Sequence, residues 1–483
     1  MTDPASRRSP DPGQAEGSLD GAILASEDVG LPPPIVEDPA AAVDAIDTAA
    51  MTGTAASEGG RSWVRPFVFQ LIIAALSVTA INAIRPMITY RVLELGGGTL
   101  EIGLVVSSFS VLPVLTAVAI GRWIDSVGEG RFLVAAMAMV SLGGLLITFA
   151  PALLPLAIGY AIIGFGQIGY LVAGQVMIAN RAPRARREDL FGWYSTVTSV
   201  GQLVGPAVAG LLVVGSLSAS TPAVGGTGSF GQIAAAFAGN AEAPVFLFAA
   251  AAAAVACLLA LRLPPTGQRG RGAEAVATPA TGLARAAIQI FRQPGMTAAM
   301  LVSITVISSV DVLVAYLPAY GDANGIPVET VALLLSVRAG SSLVSRLFMT
   351  RLIAVLGRER LLGLSMALAG AGVVVLPFVS PVPVLFGLMV VIGLGLGVGQ
   401  PLTIAWVANR SPRSERGLAL GVRLTGNRAA LLVVPTVMGA VAGATGLTAI
   451  WLLLAAFLGA GALIAVRAPF DELATSGPRE RTA

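Results

Sequence analysis

Eight polar side chains interrupt long apolar stretches of the sequence, far from the ends of those stretches. Counted at about 1.5 Å per residue from the start of each stretch, they are Asn82, Arg85, Gln167, Asp311, Arg338, Gln400, Asn427 and Arg428. Polar groups in an apolar environment are costly, and they usually mark a pathway for a solute or an ion, or an internal pair. We therefore predict that these residues line a cavity for a substrate or a proton.

Asp311 is the only acidic residue among the eight, which makes it the candidate proton carrier. Asn82 and Arg85 are three residues apart and share one helix face. Two interpretations of Asp311 stay open at this point. It handles substrate or protons, or it is a structural partner of Arg338 or Arg428 that fixes one helix to another.

Composition excludes most enzyme chemistries. The chain of 483 residues has no histidine and one cysteine, Cys257. It therefore lacks the usual general base near neutral pH, and it cannot form an intrachain disulfide. The sequence contains no HExxH motif and no nucleophilic serine with a histidine partner. We expect a protein with no enzymatic activity, no metal, no other cofactor and no nucleic-acid partner.

The elements that must position these residues are long apolar segments. Hydrophobic residues make up 55% of the chain and charged residues 12%, whereas a soluble domain carries about 25% charged residues. Twelve runs are long enough to cross about 30 Å of hydrocarbon as helices. Their bounds are 66–92, 100–120, 131–150, 154–179, 190–216, 243–263, 295–320, 328–350, 361–380, 382–408, 417–443 and 445–467. We predict an all-α membrane protein with twelve transmembrane helices.

Arginine residues set the expected orientation of these helices. Connections rich in arginine alternate with connections that carry almost none, and the rich ones lie at 122–131, 181–187, 262–292, 351–360 and 410–416. Arg91 is the one clear exception. Because positively charged connections stay on the cytoplasmic side, we expect both termini in the cytoplasm and the protein in the cell membrane.

A repeat divides the chain into segments. The motif Asn-Arg-x-Pro-Arg at 180–184 recurs at 409–413, an offset of 229 residues that also relates Gly128 to Gly357 and Asn82 to Asp311. Residues 1–62 are rich in small residues and proline without a periodic apolar face, which predicts a disordered cytoplasmic tail. We expect two six-helix pseudo-repeats at 63–263 and 294–467, a cytoplasmic linker at 264–293 and a cytoplasmic tail at 468–483.

A polar stretch between the second and third runs reads Gly-Arg-Trp-Ile-Asp-Ser-Val-Gly-Glu-Gly-Arg and contains Gly121, Asp125, Gly128 and Arg131. It predicts a short loop between two membrane helices. The stretch resembles the loop between the second and third helices of the major facilitator superfamily, where this loop gates the cytoplasmic side. The resemblance implies a gate here. The second half keeps the motif less well, because Ala354 stands in place of the aspartate.

The fifth run carries a second motif, formed by Gly192, Gly201, Gly205, Pro206 and Gly210. Glycines at this spacing give a helix face without side chains, which a neighbouring helix can approach closely, and the proline adds a kink. The pattern resembles the fifth-helix signature of drug–proton antiporters in the same superfamily. Ordinary packing in a glycine-rich protein is the alternative interpretation.

These resemblances, which extend over residues 66–467, imply secondary active transport of a small solute by alternating access, with proton-coupled efflux as the expected direction. Two alternatives stay open. One is uptake of an organic anion or another metabolite by the same fold, because arginines outnumber the acid among the deep residues. The other is a non-transporting membrane sensor or scaffold. The expected partners are a small-molecule substrate, protons and the lipid bilayer, and we expect a monomer.

Overall fold

The computed structural model describes residues 64–182, 186–220, 240–263, 290–293, 295–411 and 416–468. Every regular element within these ranges is a helix. The predicted N-terminal tail at 1–62 lies outside the described residues, as do nearly all of the predicted linker at 264–293 and of the predicted C-terminal tail at 468–483.

The first half contains six long helices. They are α1 (Val64–Glu94), α2 (Thr99–Val127), α3 (Glu129–Thr148), α4 (Leu153–Arg181), α5 (Arg187–Ser220) and α6 (Ala243–Leu261). Each contains a segment long and apolar enough to cross a membrane. Lipid offers no hydrogen-bond partners, so a spanning segment must satisfy its backbone groups internally, and a helix does so.

The second half contains eight α-helices and one 3-10 turn at Leu376–Phe378, and its described residues hold six further spans. The α-helices are α7 (Met296–Ala323), α8 (Val328–Leu347), α9 (Met349–Leu356), α10 (Arg358–Val375), α11 (Val382–Gly397), α12 (Gly399–Arg410), α13 (Arg416–Thr445) and α14 (Thr448–Arg467). The short α9 extends α8, and α12 continues the span begun by α11. The described residues thus hold twelve candidate spans, and the predicted all-α fold of twelve transmembrane helices is confirmed.

Gly128 alone connects α2 to α3. Its backbone has φ 92° and ψ 143°, a conformation that residues with a side chain rarely adopt. Gly357, with φ 75°, makes the equivalent connection between α9 and α10. The sequence-based prediction of a loop at 121–131 was therefore wrong about the backbone. No proline interrupts 121–127, so the helix continues through the polar residues until this glycine ends it.

Close approaches between small residues bring the helices of each half together. In the first half α3 packs against α4 and α6, and in the second half α10 packs against α11 and α14. A side chain added at Gly143 of α3 would lie 2.8 Å from the carbonyl oxygen of Gly159 on α4. Because lipid is as apolar as the helix surfaces, such backbone proximity is a main source of association between membrane helices.

Most contacts between the halves are made by three helix pairs, α1 with α7, α2 with α13, and α5 with α8, and α2 also meets α7. The hydroxyl of Thr436 on α13 donates to the hydroxyl of Ser107 on α2 at 2.9 Å. The hydroxyl of Tyr316 on α7 donates to the carbonyl of Thr99 on α2 at 3.2 Å. We call the end of the bundle that carries residues 95–98 and 324–327 the closed end, and the end that carries Gly128 and Gly357 the basic end.

Candidate functional site

An ion pair between Arg85 of α1 and Asp311 of α7 joins the two halves in the interior of the bundle. Asp311 is only 5% exposed. The guanidinium of Arg85 also lies over the ring of Phe109, 5.7 Å from its centre. One turn further along both helices, the hydroxyl of Thr89 donates to the carbonyl of Ala315 at 2.7 Å. The two helices therefore run side by side and hold the ion pair at their interface.

The structure gives Asp311 a partner other than the two considered from the sequence. The sequence suggested Arg338 or Arg428 as a structural partner, and that pairing was wrong, because Asp311 pairs with Arg85. The sequence shows how deep a residue lies in its span, but it does not show the rotation of a helix about its axis. In the folded chain, the face of α7 that carries Asp311 meets α1.

Arg338 of α8 and Arg428 of α13 carry positive charge that no acidic side chain pairs with in the described part of the chain. Arg338 is 7% exposed, and its Nε has no hydrogen-bond partner. The charged groups that act on Arg338 are Arg346 and Arg85, which are both positive. Arg428 is half-buried, and the positive charge of Arg85 also acts on it. Arg85, the partner of Asp311, thus adds positive charge in the surroundings of both Arg338 and Arg428.

Two of the predicted amide side chains are engaged with protein groups. Nδ2 of Asn82 donates to the carbonyl of Val78 on its own helix at 2.8 Å. Oδ1 of Asn427 accepts a hydrogen bond from the hydroxyl of Ser303 at 3.1 Å, which ties α13 to α7. The side chain of Asn82 therefore stabilises α1 itself, and that of Asn427 stabilises the second half.

The two glutamines of the predicted cavity keep unused polar atoms. Oε1 of Gln400 accepts a hydrogen bond from Nη2 of Arg423 at 2.8 Å. Nε2 of Gln400 and Oε1 of Gln167 are buried without a hydrogen-bond partner. These two atoms are the polar groups among the predicted cavity amides that the described residues leave unsatisfied.

Sequence reasoning missed two further arginines. Arg423 also donates to the hydroxyl of Thr403 at 3.1 Å. Arg346 donates to the carbonyl of Gly397 at 2.9 Å and to the hydroxyl of Ser199 at 3.1 Å, which ties α8 to α5. Both arginines lie closer to the ends of their apolar runs than the eight residues chosen by depth. Their presence inside those runs was the signal that could have identified them.

The predicted gate residues lie where α2 meets α3. Gly121 and Asp125 belong to α2, and Arg131 is exposed on α3. Beside them, Nε of Arg181 lies 3.2 Å from Oε1 of Glu129 and ties α4 to α3. Glu129, which sequence reasoning missed, is the first residue of α3, where a negative charge is favourable near the positive end of the helix dipole.

Two glycines of the α5 motif lie against α1. A side chain at Gly201 would meet Cβ of Val78 at 2.9 Å. A side chain at Gly205 would meet the carbonyl oxygen of Thr79 at 2.7 Å and Cβ of Asn82 at 2.7 Å. Close packing of α5 on α1 therefore depends on the absence of side chains at these two positions.

The other residues of the motif have different surroundings. A side chain at Gly210 would meet Cβ of Ala332 on α8, in the second half, at 3.0 Å. A side chain at Gly192 would have no neighbour within 4 Å. Pro206 lies inside α5. The motif thus serves two contacts, one within the first half and one between the halves.

A charged cluster at the closed end was not predicted. Nη1 of Arg91 lies 2.5 Å from Oε2 of Glu94, and Nη2 of Arg91 donates to the carbonyl of Ala150 at 3.0 Å. Glu242, the residue before α6, is 6% exposed. Burial, followed by the nearby charge of Glu94, raises the pKa of Glu242 to about 7, against the opposing effects of its own backbone amide and of Arg91. Arg91, the exception in the arginine pattern, thus belongs to a local group of charges.

The sequence matches the family model described as Major Facilitator Superfamily, over residues 70–351 and 309–482. The class G tetracycline resistance protein of Vibrio anguillarum is 26% identical over 390 residues, which are 80% of this chain and 90% of that protein. The thioclapurine efflux transporter of Claviceps purpurea is 28% identical over 149 residues, 30% of this chain. That match covers only 26% of the efflux transporter.

Solved structures of transporters share the fold. The nucleoside transporter NupG superposes with a TM-score of 0.65 at 15% identity, covering 83% of this chain and 98% of that chain. A bacterial homologue of the human lysosomal transporter Spinster, in an inward-facing and occupied conformation, superposes with a TM-score of 0.64 at 16% identity. It covers 85% of this chain and 97% of its own length. At such identities the likeness concerns the fold alone.

Proposed function

Because the chain belongs to the major facilitator superfamily, we propose that it exports a small solute across the membrane in exchange for protons. The members of this family, and the relatives and solved structures that this chain resembles, are transporters and not enzymes. The names of two relatives, an efflux transporter and a tetracycline resistance protein, favour export. In this architecture the solute site lies between the two halves near the membrane midplane.

The observation that carries the proposal is the ion pair of Arg85 and Asp311 between the halves. When Asp311 takes up a proton, it loses the negative charge that holds Arg85. The contact between α1 and α7 then weakens, so the halves separate more easily at this point. Release of the proton restores the pair. Asp311 has a lower affinity for a proton when its ion pair with Arg85 is formed than when the pair is broken. Proton occupancy of Asp311 is therefore coupled to the relative position of the halves.

We propose that the basic end faces the cytoplasm, together with both termini, since positively charged connections stay on that side. The hydrogen bonds from Tyr316 to the carbonyl of Thr99 and from Thr436 to Ser107 hold the halves together towards the closed end. This arrangement fits a state that opens towards the cytoplasm. The residues predicted as a gate, Gly121, Asp125, Gly128 and Arg131, would close the basic end in the opposite state. The transporter acts as a monomer in the cell membrane.

Proton coupling can be tested in everted membrane vesicles whose interior is acidified by respiration. A resistance screen in a strain without native exporters supplies the compound, and tetracycline is tried first because a relative carries its name. The compound should raise the interior pH of wild-type vesicles as protons leave in exchange, measured by acridine orange fluorescence. Asp311→Asn should abolish this response and leave exchange of labelled compound measurable.

The matched control is Asp322→Asn, which removes an exposed acid near the end of the same helix. It should respond like the wild type. Proton coupling through Asp311 is contradicted if the Asp311→Asn vesicles still accumulate the compound in response to an imposed pH gradient.

A further inference from the structure

The interior of the bundle carries more positive than negative charge. Arg85, Arg338 and Arg428 lie within their spans, whereas Asp311 is the acid placed among them. Every other acidic residue in the described ranges lies within about one turn of a helix end. Once Arg85 and Asp311 neutralise each other, the charges of Arg338 and Arg428 are left over, and Arg346 and Arg423 add positive charge nearer the ends of their spans.

The surplus arginines lie on two different helices of the second half. Arg338 projects from α8 and Arg428 from α13, both in the second half, and the charge of Arg85 from the first half acts on each of them. Arg338 is more than nine-tenths buried, and its Nε has no hydrogen-bond partner. Neither arginine forms an ion pair with any residue that the structure describes.

Such an arrangement is unfavourable in the absence of a ligand. A buried guanidinium without a counter-charge loses its hydration and gains nothing in return. A protein stabilises a charge of this kind either with an acid of its own or with a bound anion. The described residues supply no second acid at this depth, which leaves a bound anion as the counter-charge to consider.

We propose that Arg338 and Arg428 bind the oxyanion group of a small organic anion, a carboxylate or a phosphate ester, between the two halves. A planar guanidinium presents parallel N–H groups that match the two oxygens of such a group. The free amide atoms of Gln167 and Gln400 offer further polar contacts to the rest of the molecule. This inference rests on the proposed transport function in taking the anion to be the transported solute.

The binding site is tested with the full-length protein in detergent without phospholipid. The probes are benzoate and phenyl phosphate, with benzamide as the neutral analogue of benzoate, at constant ionic strength and pH. A ligand that binds the folded state raises the melting temperature as its concentration increases. We expect saturable stabilisation by benzoate and phenyl phosphate and none by benzamide. Equal stabilisation by benzoate and benzamide would overturn the proposal.

Variants assign the response to these two arginines. Arg338→Gln and Arg428→Gln should each raise the concentration of benzoate for half-maximal stabilisation at least tenfold. Arg351→Gln removes the same charge from an exposed position on α9 and should leave that concentration unchanged. Wild-type responses in both arginine variants would exclude the site.

Two further measurements separate a lost site from a lost fold. Without ligand, Arg338→Gln should melt at or above the wild-type temperature, because it removes an unpaired buried charge. Asp311→Asn should lower the concentration of benzoate needed, because it increases the positive charge and frees Arg85. An unchanged or weaker anion response in Asp311→Asn would contradict the proposed charge balance.

A lipid-binding measurement and a transport measurement distinguish an anion site from a lipid site, and the anion site from the transport function. Stabilisation by phosphatidylglycerol in the absence of any response to phenyl phosphate would assign the arginines to a lipid headgroup and overturn the proposal. A missing anion response together with proton-coupled export of a screened compound would refute only the anion site. A saturable anion response without transport of any compound would refute the transport function instead.

Discussion

At the scale of single residues, the ion pair of Arg85 and Asp311 is the contact on which the proposed mechanism depends. Each partner lies away from bulk water, with 19% of the Arg85 side chain and 6% of the Asp311 side chain exposed. Removal of one partner leaves the other as an uncompensated charge, which costs about 3–5 kcal/mol for a fully buried pair. The pair therefore contributes to stability as well as to coupling.

A double-mutant cycle measures this contribution. Arg85→Gln and Asp311→Asn should each lower the melting temperature in detergent, and the double variant should lose less than the sum of the two. We expect a coupling free energy of about 0.5–3 kcal/mol, the range found for residues in direct contact. Strictly additive losses would show that the two charges do not stabilise each other.

Glu242 is the residue whose titration near neutral pH should affect stability. Its pKa in the folded chain is raised from 4.5 to about 7 by burial and by Glu94. Between these two values the folded state binds more protons at this site than the unfolded state does. The free energy of unfolding therefore decreases as pH rises through this window.

Glu242→Gln should remove that dependence. The variant should gain stability relative to the wild type as the pH is raised from about 4.5 to above 7, because the amide has no charge to bury. Melting temperatures at pH 5, 6, 7 and 8 measure the difference, and Asp322→Asn serves as a control at an exposed acid. A constant difference between Glu242→Gln and the wild type over this range would refute the assignment to Glu242.

At the scale of helices, the glycine motif of α5 allows this helix to pack closely against two neighbouring helices. Gly201 and Gly205 allow α5 to pack on α1, whereas Gly210 allows it to approach α8 of the other half. The helix therefore touches both partners that move relative to each other in alternating access. Its glycines set the distance of α5 from α1 and from α8.

Gly205→Leu should force α5 away from α1. The added atoms would meet the Thr79 carbonyl and the Ala83 backbone nitrogen, at 2.7 and 3.0 Å from the new Cβ, and overpacking of this kind costs about 1–3 kcal/mol. We expect normal membrane insertion, a lower melting temperature and loss of transport. Gly192→Leu, where a side chain has no neighbour within 4 Å, should behave as the wild type. Similar losses in both variants would mean that close packing at Gly205 is not the cause.

At the scale of the whole molecule, the two halves are held together at the closed end by contacts that transport must break. Ser107 and Thr436 face each other there, with their hydroxyl oxygens 2.9 Å apart. Cysteines at these two positions would place their sulfur atoms close enough to each other for a disulfide to be tested. A covalent link at this position would keep the closed end shut.

Ser107→Cys combined with Thr436→Cys, in a Cys257→Ser background, tests this consequence. Oxidation should join α2 to α13 and abolish transport, and a reductant should restore it. The two single-cysteine variants control for the substitutions themselves and for oxidation elsewhere. A cross-linked protein that transports at the uncross-linked rate would show that this end does not need to open.

The sequence alone determined the spans, their number and the two-half plan. Each span is recognised because it must match a hydrocarbon layer with its own residues and satisfy its own backbone. The sequence also determined which polar residues lie deep, such as Asp311 and Arg338, because depth depends only on distance along one helix. Gly128 and Gly357 were identified as equivalent by the repeat.

Only the tertiary structure decided which of these residues meet. It paired Asp311 with Arg85, left Arg338 and Arg428 without an acid, and divided the α5 glycines between α1 and α8. These outcomes depend on the rotation and order of neighbouring helices. Helices that are apolar on every side lack the amphipathic stripe that reveals a buried face in soluble proteins. Contacts between their small residues and isolated polar groups set the arrangement, and such contacts exist only once the helices are assembled.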